Sequence, residues 1–121
     1  MVQEIICNIL RDNEIDTIGE IKNPAMAAKY YIDEYSNRFL SIDDIAAAAE
    51  CSPSHMRFLF KKTFGETPNR YLNRVRIERA KEMLCSGLFS IEEIATACGF
   101  RNVYYFSRVF KEFTGVPPGR Y

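Results

Sequence analysis

The sequence predicts an all-α fold of two helix-turn-helix subdomains joined by a long bridging helix, about seven helices in all. Three observations predict it. The phrase Ser41-Ile-Asp-Asp-Ile-Ala recurs as Ser90-Ile-Glu-Glu-Ile-Ala. Each copy leads into a further helical stretch that ends in Phe-Lys, at Phe60-Lys61 and Phe110-Lys111. Between the copies, residues 68–86 carry apolar side chains on two sides of a helical wheel, as a helix that bridges two small cores must.

Taken in order, residues 1–22 hold a short apolar cluster (Ile5, Ile6, Ile9, Leu10) and then a charged stretch, which fits a short helix and a linker or N-terminal extension. Asn23 can cap and Pro24 suits a first helical turn, so a helix is expected over about 24–38, with Ala28, Tyr31, Ile32, Tyr35 and Phe39 on one face. Ser41 with Asp44 forms a capping box for a helix through Ala49, whose Ile45 and Ala46 face inward. Ser52 before Pro53 caps the next, which runs to about Phe64 and stops at Gly65. Thr67-Pro68 starts the bridging helix, 68–86, with Tyr71, Leu72, Val75 and Met83 on one arc and Ile77, Ala80 and Leu84 on the other. At 1.5 Å per residue it spans about 28 Å. Gly87 ends it, and Ser90 with Glu93 repeats the capping box. A helix to about Cys98, a turn at Gly99 and a helix over about 103–114 complete the second copy. The chain thus reads as an extension (1–22), a first subdomain with the bridging helix (23–86) and a second subdomain (87–121).

The copies align at an offset of 49 through Ser41/Ser90, Ile45/Ile94 and Ala46/Ala95, and of 50 from Phe60/Phe110 through Gly65/Gly115 to Pro68/Pro118, so the second turn holds one added residue. Ala46 and Ala95 supply the small residue needed where paired helices cross, and Gly99 the tolerance of positive φ that the turn needs. Glu50 stands in that place in the first copy, at a cost of about 1 kcal/mol if it is left-handed.

The chain has 121 residues, 47% of them apolar, and a formal net charge of zero from 16 bases and 16 acids. The zero is uneven: residues 1–40 carry −3, and residues 41–121 carry +3. Pro53–Lys62 holds Arg57, Lys61 and Lys62 without an acid, and Arg101–Lys111 holds Arg101, Arg108 and Lys111 without one. Two acid-free basic stretches suit the phosphates of a nucleic acid. No apolar run reaches the roughly 20 residues of a membrane span, and acids run through 1–22 where a secretion signal would be basic. A cytoplasmic protein is expected. Cys7, Cys51, Cys85 and Cys98 show no paired spacing and the one histidine completes no zinc set, so they read as reduced, mostly packed thiols and imply no metal or cofactor.

On three segments the chain resembles the AraC/XylS family of bacterial transcription activators: Ser52-Pro-Ser-His-Met-Arg-Phe-Leu-Phe-Lys-Lys, Arg76-Ile-Glu-Arg-Ala-Lys-Glu-Met-Leu, and Gly99-Phe-Arg-Asn-Val-Tyr-Tyr-Phe-Ser-Arg-Val-Phe-Lys. The similarity covers about residues 24–121. It implies seven helices with two helix-turn-helix units, DNA as partner, recruitment of RNA polymerase, and association with the nucleoid. Family members usually carry a separate effector or dimerisation domain, for which 121 residues leave no room; the chain is expected to be either a fragment with that module upstream or a stand-alone regulator set by its abundance. The ending Gly115-Val-Pro-Pro-Gly-Arg-Tyr121 departs from the family at Gly119, so the seventh helix is expected to be short.

The same resemblance assigns base contacts to Ser54, Arg57 and Phe58 in the first unit and to Val103, Tyr104, Ser107 and Arg108 in the second. Arg57 and Arg108 suit guanine, Phe58 and Val103 a thymine methyl. Ser41, His55, Lys61, Lys62, Ser90, Arg101, Asn102 and Lys111 are assigned to phosphates. Each assignment has a plainer counterpart: Tyr104 can merely pack, and His55 can serve the local turn. Met56, Leu59, Phe60, Phe106, Val109 and Phe110 are expected in the core, and Arg76 and Arg79 in structural ion pairs. Two other classes have a weaker claim on the same residues. A thiolate–imidazole pair of Cys51 and His55 would suggest an enzyme but lacks an orienting third group, and a helical protein-interaction module would show no salt-dependent DNA binding.

Overall fold

A computed structural model describes residues 23–121; the helix and linker expected over 1–22 lie outside the described residues. Among the described residues the chain is all-helical: α1 (Pro24–Tyr35), α2 (Ile42–Ala48), α3 (Pro53–Phe64), α4 (Pro68–Ser86), α5 (Ile91–Ala97), α6 (Val103–Thr114) and one 3-10 turn, Pro118–Arg120. None of these helices is long and apolar enough to cross a membrane.

Five of the expected caps and stops act where the sequence places them. Asn23 Oδ1 accepts from the N–H of Ala25 (2.8 Å) and Ser52 Oγ from that of His55 (3.2 Å). Ser90 and Glu93 close the full capping box, Ser90 Oγ accepting from Glu93 N–H (3.0 Å) and Ser90 N–H donating to Glu93 Oε1 (2.8 Å). Gly65 and Gly115 end α3 and α6 in the left-handed conformation, each donating its N–H to a carbonyl of the last turn, of Lys61 and Lys111. These local devices fix three helix starts and two helix ends without help from tertiary structure.

By compactness the described residues divide into two units, one formed by 23–31 with Ile42–Pro68, the other by Ile32–Ser41 with Asn69–Tyr121. In the first, α2 packs on α3, and Ala25, Ala28, Ile45, Ala46, Ala49, Met56 and Phe60 are buried. The second has a continuous core of Ile77, Ala80, Ile94, Ala95, Cys98, Phe100, Phe106, Val109 and Phe110, with Met83 and Leu84 of α4 packed against it. The Phe106 ring meets Phe100 at 5.1 Å and Phe110 at 5.7 Å. Full burial of one such side chain stabilises by about 1.5–3 kcal/mol. Ala46 and Ala95 are both 2% exposed, which lets each helix pair approach closely.

Three expectations need correction. α1 ends at Tyr35, not 38, and Phe39 lies outside it with 48% of its surface exposed. Leu59 is half-buried and does not belong to the core. Cys85 is an exposed thiol, whereas Cys98 is buried and Cys51 half-buried. The seventh helix, expected to be short, is a single 3-10 turn with Gly119, a poor helix former, at its centre.

Candidate nucleic-acid interface

Each reading unit begins with its turn. In the first, Cys51 N–H donates to Ala46 O (3.2 Å) and Glu50 is left-handed at φ 58°; in the second, Phe100 N–H donates to Ala95 O (2.9 Å) and Gly99 sits at φ 97°. The aligned positions therefore share one backbone conformation, and Glu50 adopts the strained geometry that its alignment with Gly99 implies. The added residue of the second copy is Arg101, directly before the α6 cap Asn102, whose Oδ1 accepts from Tyr105 N–H at 2.8 Å.

Gly99 has a second constraint. A Cβ there would run into the carbonyl oxygen of Ser36 and stand 2.9 Å from Arg76 Nε and 3.1 Å from the Arg38 carbonyl oxygen. Arg76, on α4, is buried, and among the described residues it pairs with backbone carbonyls and not with a carboxylate: Nε donates to Ser36 O at 2.9 Å and Nη2 to Arg38 O at 2.7 Å. This corrects the expected ion pair; a guanidinium buried beside open backbone carbonyls satisfies them with its fixed fork of donors. Burial lowers the pKa of Arg76, and its guanidinium lies 5.4 Å from the Phe100 ring centre. Arg79 is exposed. Asn73, buried on the same helix, donates to Tyr105 OH at 3.2 Å and so ties α4 to α6.

On α3, Ser54, His55, Arg57, Phe58, Lys61 and Lys62 are all exposed. Phe58, 62% exposed, lies in a shallow depression of about 400 Å³ with Arg57, Lys61, Lys62 and Thr67, and Lys62 Nζ is 5.9 Å from its ring centre. An apolar floor ringed by cations suits a base edge flanked by phosphates. On α6, Tyr104, Arg108 and Lys111 are exposed, as are Arg101 and Asn102 before it, whereas Val103 and Ser107 are half-buried. Tyr104 is 84% exposed and therefore does not pack away. Arg108 lies 5.2 Å from the Tyr105 ring centre. Ser41 and Ser90 are exposed at the starts of α2 and α5.

Beside the start of α6 the second unit has a cleft of about 540 Å³, walled by Phe39, Leu40, Asn69 and Tyr105 and rimmed by Arg101 and Arg108. The sequence reading places Phe39 on a helix face and gives no role to Asn69 or Tyr105. Only the alternation of an aromatic residue with a polar loop at 36–40 could have signalled the first. Among the described residues no group of three or more His, Cys, Asp or Glu is placed to hold a metal.

A turn-linked helix with an exposed basic face in each of two units defines a double helix-turn-helix module of the kind carried by transcriptional regulators. The family model described as a helix-turn-helix domain matches residues 45–121. An HTH-type transcriptional regulator of Escherichia coli K12, YijO, is 35% identical over 115 residues, 95% of this chain and 41% of that protein. The C-terminal domain of AraT, a response regulator from Geobacillus stearothermophilus, is similar in structure with a TM-score of 0.77 and 28% identity, over 84% of this chain and 85% of that one. The DNA-binding domain of AdpA, a global transcriptional factor, shares the fold at a TM-score of 0.76 and 24% identity, over 83% and 90% of the two chains. The chain belongs to the AraC/XylS family of helix-turn-helix transcriptional regulators. It spans well under half the length of the curated relatives it matches.

Proposed function

We propose that the chain is the reading module of a sequence-specific double-stranded DNA-binding regulator, an activator, that inserts α3 and α6 into adjacent major-groove segments. The observation that carries this reading is the exposed, acid-free basic face of α3, matched by that of Arg101–Lys111 in the second unit. The fold shared with AdpA, solved with a target DNA, supports DNA as the partner. Arg57 and Arg108 read guanine; Phe58 and the exposed part of Val103 meet thymine methyls; Ser54, Tyr104 and Ser107 take other base edges. Lys61, Lys62, His55, Arg101, Asn102 and Lys111, with Ser41 and Ser90 at two helix starts, hold phosphates and set register. Along the chain, 23–86 serves the first groove and 87–121 the second, with 1–22 as an extension. Successive openings on one DNA face lie about 34 Å apart, and the bridging helix spans about 28 Å, so bending of the DNA closes the difference. Recruitment of RNA polymerase, in the cytoplasm and at the nucleoid, completes the reading, with control by an upstream effector or dimerisation domain or by the regulator's abundance.

A duplex selected in vitro from random sequence provides the test. Footprinting with this chain is expected to protect two segments one helical turn apart, and protection of one alone rejects the two-groove geometry. On the selected site, Arg57→Ala and Arg108→Ala are each expected to lose about 1–3 kcal/mol of binding and to relax sequence preference; Lys61→Ala should weaken all DNA alike. Equal losses by all three on selected and random duplexes reject the assigned roles.

A further inference from the structure

The second unit keeps a large aromatic ring at its surface, and the geometry assigns that ring a task. Phe39 is 48% exposed, and the guanidinium carbon of Arg101 stands 4.8 Å from its ring centre. Neither partner is loosely held. The segment leading into Phe39 is pinned by Arg76, which donates to the carbonyls of Ser36 and Arg38 just before it. Arg101 is the residue by which the second turn exceeds the first, set between buried Phe100 and the cap Asn102. We propose that Phe39 is a positioning residue for DNA binding: its ring face holds the Arg101 guanidinium at the mouth of the cleft before α6, ready for a phosphate. This rests on the assignment of Arg101 to a phosphate.

A guanidinium already resting on an aromatic face loses less rotamer freedom when it meets an anion. The attraction comes from the ring's quadrupole, so aromatic shape and charge distribution matter and bulk hydrophobicity does not. Phe39 therefore contributes to binding without touching DNA, from a segment that precedes the first helix-turn-helix in the chain yet belongs to the second compact unit. The first unit, one residue shorter in its turn, has no counterpart to Arg101.

The experiment is a double-mutant cycle on the full chain, read as affinity for a mixed-sequence duplex by fluorescence anisotropy across a salt series. Phe39→Ala and Phe39→Leu are each expected to weaken binding about 2- to 5-fold, and Phe39→Tyr to retain wild-type affinity. In an Arg101→Ala background all three should bind alike. Because Phe39 is half-exposed, thermal melts of the variants should match wild type. Wild-type binding by Phe39→Leu, or an undiminished Phe39→Ala loss in the Arg101→Ala background, overturns the proposal. Arg101→Ala itself should flatten the slope of log K against log salt by about 0.9. If it changes neither slope nor affinity, the phosphate assignment and this proposal fall together; if it does and Phe39→Ala has no effect, the proposal alone falls.

Discussion

Replacing Gly99 by alanine is expected to destabilise the second unit by about 2–5 kcal/mol. Two independent penalties combine. A side chain at φ 97° pays the left-handed penalty, about 1–2 kcal/mol. The new Cβ also meets the Ser36 carbonyl oxygen and Arg76 Nε, neither of which can yield without breaking the hydrogen bond they share. The aligned site in the first unit should respond with the opposite sign, because Glu50 pays the conformational penalty at φ 58°: Glu50→Gly should gain up to about 1 kcal/mol, less the greater unfolded-state entropy of glycine. Urea unfolding measures both. A Gly99→Ala cost no greater than the conformational penalty alone would show that the space opposite yields easily.

Arg76→Ala is expected to cost about 3–5 kcal/mol, since two charge-assisted hydrogen bonds vanish and the Ser36 and Arg38 carbonyls are left without the donors that turn them inward. Lysine should recover little of this, for a single ammonium cannot span both oxygens as a planar fork does. Native-state hydrogen exchange should place the opening in residues 32–41, and a loss spread evenly over the second unit would point to general packing instead. A destabilisation below about 1 kcal/mol would mean that water replaces the guanidinium without penalty.

Those two residues also mark the limit of what the sequence discloses. Helix starts at Pro24, Pro53, Pro68 and Val103 and the glycine stops at 65 and 115 are local signals, written within four residues of where they act, and the structure has them there. The end of α1 is not local. Periodicity continues to Phe39, but the Ser36 and Arg38 carbonyls are drawn to an arginine about 40 residues later, which no window of helical spacing registers. Arg76 itself was legible as structural from its place beside an apolar arc, whereas the identity of its partners was not, because backbone carbonyls carry no sequence. On the interface, charge spacing picks out Arg57, Lys61, Arg101, Arg108 and Lys111, all exposed. It does not separate Val103 and Ser107, half-buried, from Tyr104 beside them, since neighbouring helical positions differ by about 100° in direction and the core decides which direction is inside.

The unlike surroundings of the cysteines have a practical consequence. Burial pushes the Cys98 thiol up to about 11, so at neutral pH it is protonated and shielded, while Cys85 near the end of α4 faces solvent. With Cys7 and Cys51 replaced by serine, a maleimide dye or nitroxide would attach at Cys85 alone. The second unit then carries its own reporter near the end of α4, through which spectroscopy can follow changes in that surface when duplex is added.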